Sequence, residues 1–318
     1  MRSERMNFAD RLIEAINNKE SHACVGLDPR WNRIPEEIRE RAIEEEGETL
    51  QAVAEGIIDF NQGIIDAVAS SVPAVKPQIA FYEKYGHQGI RAFEETIDYA
   101  KEKGLLVISD AKRNDIGSTA KAYADGHLGE IDDLEGLATS LNSDSLTVTP
   151  YLGWDGIKPF VTNCREQNKG IFILVKTSNS SAHELQDIKA QDDELVFAKL
   201  AKLVQEWGSE VVGEKGYSSV GAVVGATYPK EAERLRQLMP HSYFLVPGYG
   251  AQGGGADDVV PCFNQDGYGA VVNSSRGIIF SYEREEYSSD YQEAAQEAVL
   301  DMNRDINKAL KKAKKFAF

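Results

Sequence analysis

The sequence predicts an α/β fold of the (β/α)8 type, one domain over residues 1–318 with helical extensions at both ends and loop and helix insertions. Three observations carry that expectation. Short aliphatic and β-branched runs recur eight times, amphipathic stretches separate them, and most runs pass on their C-terminal side into polar, charged or glycine-rich residues. Continuous apolar strands alternating with helices imply a parallel sheet covered on both faces. A closed TIM barrel of eight such units takes ~250 residues, so the 318 present leave a surplus for the connections.

In chain order, Phe8, Leu12, Ile13 and Ile16 stand at helical spacing in a charged N-terminal segment that lacks the unbroken apolar core of a signal peptide. His22–Leu27 reads as the first strand. The proline-punctuated, Glu-rich segment 30–49 reads as a solvated insertion. Leu50–Ser70 is a helix with Val53, Ile57, Ile58, Ile64, Ile65 and Val68 on its apolar side. Pro73–Lys76, Leu105–Ser109, Ser145–Thr149 and Gly170–Val175 are strands two to five, with a helix over Gly89–Lys103 and a polar helix or loop over 125–144. A second solvated insertion is expected at 180–193, then a helix over Glu194–Ser209. Strands Ser219–Val224, Tyr243–Val246 and Gly269–Val272 complete the set, with a helix over Pro229–Leu238 after the first of them. The terminal Lys311-Lys312-Ala313-Lys314-Lys315 is suited to complement a helix C-terminus.

Composition narrows the function. An apolar fraction of 42% supplies a sizeable core, and 27% charged residues is ordinary for a soluble protein. A net charge of −16 argues against nucleic acid or an anionic membrane surface as partner. An anionic ligand would therefore be held by a few placed cations and backbone amides. Cys24, Cys164 and Cys262 are odd in number and widely spaced, which fits core residues in a reducing, cytoplasmic compartment.

The chemistry concentrates at Ser109-Asp110-Ala111-Lys112-Arg113-Asn114-Asp115-Ile116-Gly117-Ser118-Thr119. Asp110 and Lys112 alternate onto the same face of the third strand, and Asp115 lies on the loop beyond it. Such a group can destabilise a substrate anion and then protonate the carbanion left behind. Taken alone, Asp-x-Lys also reads as a self-satisfied ion pair. The other strand ends shift the balance: Gly26-Leu27-Asp28-Pro29, Val75-Lys76-Pro77-Gln78, Lys176-Thr177-Ser178-Asn179, Pro247-Gly248-Tyr249-Gly250-Ala251-Gln252-Gly253-Gly254-Gly255 and Asn273-Ser274-Ser275-Arg276-Gly277. In a barrel these converge on the catalytic rim. Gly248-x-Gly250-x-x-Gly253 formally matches a dinucleotide fingerprint, but the βαβαβ context is missing. A phosphate cradle completed by Gln252 and by Arg276 at a short helix fits better.

These motifs, in order from residue 24 to 277, resemble the orotidine 5′-phosphate decarboxylase family, particularly its longer bacterial form. The resemblance implies conversion of orotidine 5′-phosphate to UMP and CO2, the last step of de novo pyrimidine nucleotide biosynthesis, with no cofactor and no metal. It implies Lys112 as the acid that protonates C6, Asp110 against the substrate carboxylate, and Lys76 completing a Lys-Asp-Lys-Asp array with Asp115. Asp115 and Thr119 would be shared across a homodimer interface. Asp28 would hold the ribose hydroxyls, Ser178 the pyrimidine amide edge, and Gln252 and Arg276 the phosphate. At Ser178 the chain departs from the family, with Asn179-Ser180-Ser181 in place of the usual glycine-proline continuation. Two rivals share these features: a Mg²⁺-dependent phosphosugar enzyme, which would need a carboxylate where Lys76 stands, and a non-catalytic UMP-binding barrel, which would not need Lys112.

Overall fold

The computed structural model describes residues 6–131, 139–250 and 253–318. Among these, eight parallel strands close into a barrel in chain order: β1 (Ala23–Leu27), β2 (Ala74–Pro77), β3 (Leu106–Arg113), β4 (Ser145–Val148), β5 (Gly170–Lys176), β6 (Ser218–Val224), β7 (Ser242–Val246) and β8 (Ala270–Ser274), with β8 pairing back onto β1. The helices are α1 (Phe8–Lys19), α2 (Glu36–Glu46), α3 (Leu50–Val68), α4 (Ala80–Glu83), α5 (Gly86–Glu102), α6 (Gly117–Leu128), α7 (Trp154–Glu166), α8 (His183–Gln186), α9 (Val196–Trp207), α10 (Pro229–Leu238), α11 (Ala256–Val259), α12 (Arg276–Ile279) and α13 (Tyr291–Lys312).

Alternation along the strands sorts their side chains into two cores. Val25, Val75, Val107, Ile171 and Ile173 face the helices, while Cys24, Ala74, Ile108, Phe172 and Val271 fill the barrel interior. Apolar residues on both faces explain why the strands read as continuous runs. The interior core continues into α1, which closes the end of the barrel opposite the charged rim. Phe8 meets Phe172 edge-on with centroids 5.9 Å apart. Gly170 makes room for it, since a Cβ there would lie 2.2 Å from the Phe8 ring. Asn7 caps α1, and Asp10 accepts from the backbone amides of Glu214 and Lys215 at 2.9 and 3.0 Å.

Two details differ from the sequence expectation. Segment 30–49 is not simply solvated: Ile34, Ile38 and Ala42 form a buried i, i+4 stripe, hidden in the sequence among glutamates, and α2 packs on α3. Gly56 on α3 admits Trp31, whose ring would be 2.6 Å from a Cβ there. Segment 180–193 contains a 3₁₀ turn (Ser180–Ala182) and α8, and its Gln186 reaches the central cavity. Segment 125–144 is helix and then loop as far as it is described, with α6 running on to Leu128 and 132–138 outside the described residues. At the C-terminus Lys311 and Lys312 stand in the last turn of α13, as expected, while Lys315 donates to the carbonyls of Val260 and Phe263 at 3.3 and 2.8 Å. Among the described residues no helix is long and apolar enough to cross a membrane.

Candidate active site

The third strand runs four residues beyond its expected end at Ser109, so Asp110 and Lys112 belong to β3 itself. Its pairing with β4 is regular through Ser109↔Leu146 and then slips, Arg113 pairing with Val148. Four steps on β3 therefore span two on β4, an irregularity that re-aims side chains. Within it Lys112 takes φ +50°, the left-handed region that lysine rarely adopts. Its N–H donates to Thr147 Oγ1 at 3.0 Å. The outer side of the same stretch is pinned by Arg113, whose Nε donates to His127 Nε2 at 3.3 Å. His127 Nδ1 then carries the proton and donates to Ser109 Oγ at 3.0 Å. Burial, aided by Arg113, pushes His127 down to about 3 and keeps it neutral.

Asp110 is the hub. Its Oδ2 accepts from Lys76 Nζ at 2.7 Å and Gln78 Nε2 at 2.8 Å. Its Oδ1 accepts from Lys112 Nζ at 2.6 Å and Thr147 Oγ1 at 2.9 Å. Burial alone would raise this carboxyl, but Lys76 and Lys112 outweigh it and hold Asp110 well below the usual carboxylate range. Burial likewise works against the Lys76 ammonium, and Asp110 and Asp28 reverse it, so Lys76 stays charged above its ordinary value.

Asp110, Lys76 and Lys112 form part of the wall of a cavity of 560 Å³ at the C-terminal ends of the strands. Asp28, Ser178 and Arg276 line it as well, so six of the nine candidate residues are brought together. Asp28 Oδ1 is buried with no hydrogen-bond partner, as are Asn273 Oδ1 and Ser275 Oγ. A buried polar atom without a partner costs roughly 1–3 kcal/mol, and three on one wall mark where a polar ligand is expected to bond. Gly26 permits this wall to form, since a Cβ there would lie 2.6 Å from Ser275 Cβ. Arg276 opens α12, is exposed to the cavity, and has no hydrogen bond or ion pair among the described residues.

The remaining candidates lie elsewhere. Asp115 and Thr119 do not line this cavity; Asp115 Oδ1 accepts from the Ile116 amide at 2.8 Å, and Thr119 is exposed on α6. Gln252 lies outside the described residues. The glycine-rich segment also differs from a simple cradle. Gly248, Gly250 and Gly253 have φ of 102°, 71° and 89°, and the amides of Gly250, Gly253 and Gly254 bond carbonyls within the loop. These glycines serve the reversal of the chain. Sequence reasoning missed Thr147 and Gln186 altogether. Gln78 and Asn273 stood in quoted strand-end motifs, and their position there was the available signal.

Comparison with known proteins gives one answer. A family model described as the orotidine 5′-phosphate decarboxylase / HUMPS family matches residues 21–291. The chain is 48% identical over 294 residues to an orotidine 5′-phosphate decarboxylase of Rhodopirellula baltica, covering 91% of this chain and 95% of that one. It is 42% identical to that of Caldicellulosiruptor bescii, covering 91% and 94%. Among solved structures, a putative orotidine 5′-phosphate decarboxylase from Streptomyces avermitilis superposes with a TM-score of 0.77 at 32% identity, over 96% of this chain and 97% of that one. The Leishmania donovani OMP decarboxylase superposes with a TM-score of 0.71 at 29% identity, over 96% and 98%. With the match spanning the whole barrel, the chain belongs to the orotidine 5′-phosphate decarboxylase family.

Proposed function

We propose that the chain decarboxylates orotidine 5′-phosphate to UMP and CO2, with Lys112 delivering the proton to C6. The observation that carries this reading is Asp110 held ionised between two ammonium groups on the cavity wall. A substrate carboxylate seated against Asp110 is repelled; two unit charges ~4 Å apart interact by about 4 kcal/mol at an effective dielectric of 20. As the C6–carboxylate bond breaks, the electron pair stays on C6 and neutral CO2 leaves, so the repulsion disappears. The same negative charge develops beside the Lys112 ammonium, which stabilises it where it appears and then transfers an Nζ proton to C6. Solvent reprotonates the amine.

Asp28, with its unpartnered oxygen, is suited to accept from ribose hydroxyls, and Arg276 to bind the phosphate. Ser178 is assigned to the pyrimidine amide edge and Gln252 to the phosphate, with Arg276. Binding energy gathered at the phosphate contributes to the barrier reduction at C6. Lys76 also weighs against the Mg²⁺-dependent relatives, because its ammonium lies 2.7 Å from the oxygen such an ion would need.

Asp115 and Thr119 act in the site of a second copy. Supporting this, Asp115 is followed by exposed Ile116, and the neighbouring Tyr151, Leu152 and Trp154 are also exposed apolar residues. Three free, buried cysteines support a cytoplasmic location. The first experiment is to follow orotidine 5′-phosphate absorbance with purified protein in excess EDTA. Conversion to UMP is expected; UMP binding without conversion would overturn catalysis in favour of a binding barrel. For the shared site, a refolded mixture of inactive Lys112→Ala and Asp115→Ala should regain activity through hybrids with one intact site. Hybrids that form and stay inactive would refute it.

A further inference from the structure

The end of β5 carries a buried cation that the proposed chemistry does not use. Between Leu174 and Lys176 the pairing with β6 slips, Leu174 opposing Val223 and Lys176 opposing Val224. The slip turns Lys176 away from the cavity and into the helix layer, where its ammonium lies over the rings of Phe197 and Tyr228 at 5.1 and 4.9 Å. The side chain is 1% exposed, and its ion partner is Asp187. Asp187 directly follows Gln186, and Gln186 grips the strand end twice. Its Oε1 accepts from the Thr177 amide at 3.0 Å, and its Nε2 donates to Thr177 Oγ1 at 2.7 Å. Thr177 Oγ1 in turn donates to Asn179 Oδ1 at 2.6 Å. Gly225 lets Ser178 settle against β6, since a Cβ there would lie 2.9 Å from Ser178.

We infer that Lys176 and Asp187 are positioning residues that hold Gln186 in place to read the pyrimidine-dione edge beside Ser178. This deepens the decarboxylase reading and rests on it for the identity of the ligand. A desolvated ammonium cannot release its single carboxylate without exposing an uncompensated charge to an apolar surround. The loop from Ser178 to Asp187 is thereby tied down at its far end. Gln186, engaged twice, retains one N–H and one oxygen lone pair, and it lines the cavity with Thr177, Ser178 and Asn179. A donor beside an acceptor is the complement of an amide edge. A ligand without the base has nothing to offer it.

The test measures binding of UMP and of ribose 5-phosphate, together with KM and kcat for orotidine 5′-phosphate. Gln186→Ala and Asp187→Asn should each weaken UMP about tenfold, the size of one hydrogen bond to a fixed polar group. Ribose 5-phosphate affinity should hold, and KM should rise with kcat little changed. Combining the two substitutions should add little to either alone. Asp187→Glu should recover most of the loss. Lys176→Met with Asp187→Asn removes both charges together, so it separates positioning from misfolding: it should melt near the wild type and still bind UMP poorly. Parallel loss of UMP and ribose 5-phosphate, or unchanged UMP affinity in that folded double variant, would overturn the inference. Ser178→Ala is read separately; unchanged UMP affinity there would remove Ser178 from the base edge while leaving the result at Gln186 standing.

Discussion

The two ends of the barrel handle buried charge in opposite ways. At the closed end, Arg236 is 6% exposed, lies over the Phe244 ring at 4.0 Å, and gives its terminal nitrogens to the carbonyls of Met239, Ser242, Cys262 and Gly269. Burial pulls it down to about 10, which still leaves it ionised at neutral pH. At the open end, Lys76 and Lys112 share one carboxylate, Arg276 has no partner among the described residues, and Asp28 keeps a buried oxygen unbonded. The first arrangement spends both terminal nitrogens on carbonyls, leaving only Arg236 Nε unbonded, and ties strand starts together. The second is left open around one cavity, where the proposed substrate would supply two negative groups and hydroxyls. Within one fold, charged groups and unbonded oxygens gathered around one cavity mark the site more clearly than buried charge alone does.

That contrast predicts opposite consequences for substitutions at the two ends. Lys112→Ala should lower kcat by about 10⁴-fold, measured by loss of orotidine 5′-phosphate absorbance, while the urea midpoint changes little because Asp110 keeps Lys76. At the closed end, Phe8→Ala should cost about 3–5 kcal/mol of stability and leave kcat per folded molecule unchanged. A fall in kcat there would show that the plug shapes the site. Asp110→Asn should cost both: activity, and about 3–5 kcal/mol from stranding Lys76.

The acid behaviour of that variant sharpens the point. Because the folded carboxyl lies below its unfolded value of about 3.9, its stabilising contribution is complete above that pH and disappears as pH falls through the folded value. Urea midpoints from pH 7 to 2.5 should therefore fall less steeply in Asp110→Asn than in the wild type. The smallest effect belongs to Thr147→Val, which removes the hydrogen bond to Asp110 and the acceptor of the Lys112 amide and should cost about 1–3 kcal/mol, with a modest loss of kcat.

Legibility in the sequence followed the same division. Each strand core was readable because both faces are apolar, and α1 because Phe8, Leu12, Ile13 and Ile16 keep helical spacing. Strand boundaries moved by one or two residues, except on β3, where a charged tip continues the strand beyond its apolar run. Asp28, Lys76, Asp110, Lys112, Ser178 and Arg276 were readable because strand ends in a barrel face one way. Thr147 was not, since its role depends on the slipped register between β3 and β4. Gln186 was not, because its loop folds back nine residues to reach Thr177. The stripe in α2 was hidden by the glutamates around it.

The left-handed backbone at Lys112 has a consequence for descent. An L-residue held there is disfavoured by roughly 1–2 kcal/mol relative to an ordinary conformation, and glycine would be free of that penalty. The surrounding contacts hold Lys112 there, the ammonium on Asp110 and the amide on Thr147. A lineage in which the reaction ceased to matter would gain stability by exchanging this lysine for glycine. Its descendants should therefore lose position 112 early, and an inactive Lys112→Gly protein should outlast Lys112→Ala on heating.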